Sequence, residues 1–129
     1  MRYLAIALLA IGMAACTNDS TSPNGSVRGT YDLRTVNGSN LPVALDNGCD
    51  LTADQFFIRS DGSYEEDFTC SDPSFDDFDA GFYTVTNNVV DFSSNRGFGT
   101  FTGSVSGNVL TIQIASQFSG SDVWVYNRE

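Results

Sequence analysis

From Gly29 onward the chain is a succession of short runs rich in β-branched and aromatic residues. Each run is closed by turn formers: Asn37-Gly38, Ser60-Asp61-Gly62, Asn87-Asn88, Gly107-Asn108 and Ser119-Gly120-Ser121. No other feature constrains the fold as much. The runs alternate apolar and polar residues with a period of two, and none sustains the 3.6-residue period of an amphipathic helix. The pattern therefore predicts strands over 30–36, 41–45, 51–59, 64–70, 81–86, 89–93, 98–105, 109–115 and 123–127. The second is short and carries Pro42, which suits an edge or an irregular strand. Residues 71–79, Ser-Asp-Pro-Ser-Phe-Asp-Asp-Phe-Asp, read as an acidic loop.

Consecutive strands joined by tight turns make an antiparallel meander, and closing it into a barrel removes its edges. Tyr83, Val85, Val90, Phe92, Phe101, Val105, Leu110, Ile112 and Ile114 fall on one face of the later strands. Thr84, Thr86, Asp91, Thr102, Thr111 and Gln113 fall on the other. That split predicts a half-buried sheet. The expected fold is all-β, an antiparallel up-and-down barrel of about eight strands over residues 29–129. A small two-sheet sandwich is the alternative, since it gives much the same pattern.

The first 28 residues read differently. Arg2 precedes an apolar run from Tyr3 to Ala15, followed at once by Cys16 and polar residues. The run is shorter than the ~20 residues of a membrane span and reads as a signal peptide over residues 1–15. Met13-Ala14-Ala15-Cys16 resembles the lipobox of bacterial lipoproteins. The resemblance implies cleavage before Cys16, a diacylglyceryl thioether and an acylated N-terminus. A plain signal peptide that leaves a free cysteine is the alternative. Residues 16–28 then form the lipidated cysteine and a flexible tether. Thr17 in the position after the cysteine implies, by the same resemblance, an outer-membrane address facing the periplasm.

Composition narrows the function classes. Sixteen acidic residues against six arginines give a net charge of −10, with no lysine and no histidine. Such a charge repels nucleic acid. With Cys16 set aside as the lipidation site, Cys49 and Cys70 remain, and in an exported domain they read as a disulfide. A redox or metal-binding thiol pair would call for closer spacing or a histidine.

Enzyme readings fare badly. The usual general base and zinc ligand are missing, and no Gly-x-Ser-x-Gly elbow occurs. Glu65, Glu66 and Asp67 read as a solvated strand end, with Glu65 and Asp67 on one face and Glu66 on the other. The chain is expected to be non-catalytic, with no cofactor. Asp72, Asp76, Asp77 and Asp79 crowd the acidic loop and are the candidate calcium ligands, though without EF-hand spacing. Phe75 and Phe78 in that loop read as a plug for a barrel mouth, or as a partner contact.

Gly29-Thr30-Tyr31-Asp32-Leu33 resembles the Gly-x-Trp opening of lipocalins, with Tyr31 in the tryptophan place. Trp124-Val125-Tyr126-Asn127-Arg128 resembles their closing strand, which implies Arg128 packed across Tyr31. Residues 81–92 and 102–112 look like the repeated hairpins of small bacterial lipocalin-like lipoproteins. The same opening, 29–38, is also similar to the META domain of envelope proteins, of whose Gly-Cys-Asn motif Asn47-Gly48-Cys49-Asp50 is a permuted echo. The lipocalin resemblance implies a non-catalytic envelope protein that binds a small apolar ligand, with Tyr83, Val85, Phe92, Phe101 and Ile112 lining the cavity. If those side chains fill the interior instead, the expected role is an interaction or scaffold protein with an envelope partner.

Overall fold

The computed structural model describes residues 27–115 and 121–129; the signal and Cys16 readings lie outside them. Ten strands follow in chain order: β1 (Gly29–Val36), β2 (Ser39–Asn40), β3 (Val43–Ala44), β4 (Asp50–Ile58), β5 (Ser63–Cys70), β6 (Asp77–Thr86), β7 (Val89–Ser94), β8 (Thr100–Ser106), β9 (Val109–Ala115) and β10 (Ser121–Arg128). No α-helix occurs among the described residues, only a 3-10 turn at Pro73–Phe75.

Eight of these strands close a barrel. Strands β4 to β10 each pair with the next, always antiparallel, and β1 pairs with both β10 and β4. Tyr31 thus stands opposite Arg128 on one side and Phe56 on the other. Closure through β1 gives the up-and-down barrel that the sequence pattern predicts and excludes the sandwich. The short β2 and β3 lie outside this ring, paired to β1 and β4.

The two ends differ because their connections differ. At one end the turns are short: 59–62, 87–88 and 107–108. Residues 27–28 enter there and Glu129 leaves there. The other end carries the longer connections: 37–49 with β2 and β3, the loop 71–76, and 95–99. At the start of the longest connection Asn37 and Gly38 take φ of 51° and 79°, the mirror-image turn suited to a right-twisted hairpin. The Asn37 side chain also accepts the Val123 N–H at 2.8 Å and donates to Asp122 Oδ1 at 2.9 Å, fastening this turn to β10.

Two strands depart from expectation. Strand β6 starts at Asp77, inside the segment read as an acidic loop. Aspartates disfavour strands in isolation, but Asp77, Phe78 and Asp79 pair with Phe68, Asp67 and Glu66 of β5, and the tertiary ladder overrides local preference. The strand expected over 41–45 is instead the pair β2 and β3, interrupted around Pro42, which has no N–H for a ladder.

The expected inner face is the inner face. Tyr83, Val90, Phe92, Val105, Leu110 and Ile112 are buried, and Val85, Phe101 and Ile114 pack against them. Aromatic rings fill the interior toward the closed end. Phe92 stacks on Phe101 at 4.9 Å between centroids, while Phe56 meets Phe92 edge-on at 5.1 Å and Tyr126 at 5.7 Å. Each such pair contributes ~0.5–1.5 kcal/mol beyond its buried area. In the wall, β6 and β7 come close at Gly81, where a Cβ would lie 2.0 Å from the Ser93 carbonyl oxygen. Only glycine allows β6 and β7 to approach this closely.

Candidate functional site in the open mouth of the barrel

Above the aromatic core, the end with long connections opens into a cavity of about 560 Å³. Its size falls in the range of small-molecule sites. Val36 and Trp124, opposite one another on β1 and β10, form one wall, and Phe68 of β5 and Ile114 of β9 extend it. The connection 37–49 contributes Val43 and Leu45. Phe75 and Phe98 come from the loops between β5 and β6 and between β7 and β8. Trp124 is the only tryptophan of the chain. Its Nε1 is buried and has no hydrogen-bond partner among the described residues.

The disulfide expected between Cys49 and Cys70 is formed, with the two Cα atoms 5.4 Å apart. It joins the start of β4 to the end of β5 at the mouth, and both cysteines border the cavity. Further bonds hold the adjacent loop. Asp76 Oδ1 accepts the Cys70 N–H at 2.7 Å, and Asp72 Oδ1 accepts the Ser74 N–H at 2.9 Å to cap the 3-10 turn.

Below the cavity lies a polar layer that the sequence reading missed. Asp54, Glu66 and Asp79 are all buried. They sit in one diagonal row across β4, β5 and β6, next to cavity residues: Asp54 pairs with Phe68, and Glu66 with Asp79. The Tyr126 hydroxyl lies 2.9 Å from Asp54 Oδ2 and 3.0 Å from Glu66 Oε1. A phenol has one proton, so serving both carboxyls as hydrogen-bond partners requires a proton on one of the acids. Burial pushes the Asp54 carboxyl up to about 7, against hydrogen bonds from Glu66 and Tyr126 that favour its ionised form. Burial, with the charge of Asp54 next, holds Glu66 well above the usual carboxylate range. Asp54 Oδ1 has no hydrogen-bond partner among the described residues. Asp79 is fully engaged: it accepts from Tyr64 at 2.7 Å, from Ser94 Oγ at 2.6 Å and from the Ala80 N–H at 2.8 Å. The acidic Glu65-Glu66-Asp67 run is therefore not a solvated strand end throughout, because Glu66 points inward.

The candidate calcium ligands do not converge. Asp72 and Asp76 bond the backbone, Asp77 faces Arg96 at 3.5 Å, and Asp79 is inside the barrel. Among the described residues no three metal-ligating side chains are placed so that they could hold a metal ion. Placing 77–79 on a strand rather than in a loop separates Asp77 and Asp79 from the other two. Of the two loop phenylalanines, Phe75 borders the mouth, as a plug would. Phe78 points outward beneath the Arg96 guanidinium, whose carbon is 3.7 Å from the ring centre.

The residues expected to line a ligand cavity lie elsewhere. None of Tyr83, Val85, Phe92, Phe101 and Ile112 borders the mouth cavity. They belong to the packed interior, since Phe92 and Phe101 stack on each other instead of facing a void. Tyr83, Phe92 and Phe101 also back a hollow of about 390 Å³ whose other residues include exposed Phe82 and Asp91. At the closed end Arg128 does lie across Tyr31, with its guanidinium carbon 5.1 Å from the ring centre and Nε 3.1 Å from the phenol oxygen.

No family model matches this chain, and no curated protein matches it in sequence.

Proposed function

We propose that the protein is a non-catalytic, lipid-anchored component of the cell envelope that holds a small, largely apolar molecule in the open mouth of its barrel. The observation that carries this reading is the cavity of about 560 Å³, walled by Val36, Phe68, Ile114 and Trp124 above a filled interior. A barrel built only as a scaffold has no use for a hollow half lined with large apolar side chains.

The envelope address rests on the sequence: Met13-Ala14-Ala15-Cys16 resembles a lipobox, and the Cys49–Cys70 disulfide suits an oxidising compartment. The described chain begins at the closed end, so a tether from Cys16 would join the barrel opposite its mouth. The non-catalytic reading rests on the absence of histidine and lysine. It also fits the buried acids, which are tied to Tyr126 and Tyr64 beneath the cavity.

Native mass spectrometry of protein purified gently from its own host tests the proposal. A reproducible extra mass that leaves on unfolding supports it and identifies the ligand class. A clean mass, together with failure to take up a neutral apolar dye, overturns it.

A further inference from the structure

Resting on that reading of the cavity, we infer that its ligand is a lipophilic cation: an apolar body carrying an amine or quaternary ammonium group. Two features of the site converge on this chemistry. The first is aromatic: Phe68, Phe75, Phe98 and Trp124 all face the cavity, and ring faces attract cations that are weakly hydrated. The second is the distribution of charge. Asp46, Asp77 and Asp122 border the same cavity, and no arginine does. Among the described residues the ion pairs are Arg59–Glu65 and Arg96–Asp77, so Asp46 and Asp122 keep uncompensated charges at the rim. An anionic amphiphile would enter a chain of net charge −10 past the two unpaired carboxylates Asp46 and Asp122, while the nearby Arg96 is engaged by Asp77. A neutral one would leave those carboxylates unused. The rim thus selects against fatty acids and in favour of alkyl amines, and the apolar wall holds the tail.

Three probes of equal chain length decide it: dodecyltrimethylammonium, 1-dodecanol and dodecanoate. Each is titrated into the purified protein below its micellar concentration, with binding read from Trp124 emission. The expected result is that the cation binds about tenfold tighter than the alcohol at low salt, with dodecanoate weakest. Raising the salt should erode only the cation's advantage. The double variant Asp46→Asn/Asp122→Asn should lose at least about threefold of that advantage and keep its affinity for the alcohol. Asp91→Asn, which removes a charge from the outer face, should change neither. Equal affinity for cation and alcohol overturns the inference and leaves the apolar cavity standing. So does a preference that Asp91→Asn reduces as much as the rim variants do, because it then reflects net charge alone. If none of the three binds, the cavity reading itself falls.

Discussion

Arg128 stands across Tyr31 at the closed end of the barrel, and the Tyr31 hydroxyl donates a hydrogen bond to the carbonyl of Val27, 2.7 Å away. One arginine of the last strand thereby fastens the first strand and the entering chain. Arg128→Ala removes the cation from the ring and the donor from the phenol oxygen, and exposes packing around Gly29. It should destabilise by roughly 1–3 kcal/mol, seen as a lower midpoint in urea. Arg128→Lys should recover only part of this, because an ammonium cannot reproduce the planar stack.

The buried acids give stability a pH dependence of known sign. The Asp54 pKa is 3.8 in the unfolded chain and about 7 in the fold. The folded state therefore binds the extra proton between these values. The stability contribution is fully present below the unfolded pKa and is lost as pH rises through 7. For one proton the slope approaches ~1.4 kcal/mol per pH unit. Unfolding midpoints of the wild type should fall between pH 4 and 8, and those of Asp54→Asn should fall less. Parallel slopes in the two proteins would show that folding leaves the Asp54 pKa unshifted.

The disulfide joins residues with a sequence separation of 21 and closes the β4–β5 hairpin. Replacing both cysteines, Cys49→Ser with Cys70→Ser, should cost ~3 kcal/mol in the chain-entropy view. Hydrogen exchange should quicken most around Leu45 and Phe75, where the bridge borders the mouth.

At Gly81 the wall leaves no room for a Cβ. Gly81→Ala forces β6 from β7 at the Ser93 carbonyl, beside the Ser94 hydroxyl that holds Asp79. A loss of ~2–3 kcal/mol or more is expected, read as a drop in Tm.

The barrel was legible because strand and turn signals are local. Asn37-Gly38 and Gly107-Asn108 announce their turns, and the alternation through Val90, Phe92, Leu110 and Ile112 names the inner face. Closure of β1 against β4 depends on pairings distant in sequence, such as Tyr31 with Phe56, which residue preferences do not encode; β6 begins at Asp77 because β5 offers it a ladder partner in Phe68, against the strand preference of aspartate. The mouth was not legible for a related reason. Its walls come from β1, β5, β9, β10 and three connections, and no single motif unites them. The inward acids had a signal that composition obscured. Counting by twos from Tyr64 places Glu66 and Phe68 on one face, and counting back from Ile58 places Phe56 and Asp54 there too. Charge made Glu66 read as solvent-facing, yet its register places it inside.

The central claim is that the open mouth binds a small apolar molecule, and Trp124 reports on it directly as the only tryptophan. The decisive measurement is Trp124 emission during titration with N-phenyl-1-naphthylamine, a neutral apolar dye. Saturable quenching at one dye per barrel, weakened by Val43→Phe in the cavity wall, is the predicted result. Unchanged Trp124 emission in folded protein, or quenching that Val43→Phe leaves intact, would contradict a ligand site in the mouth.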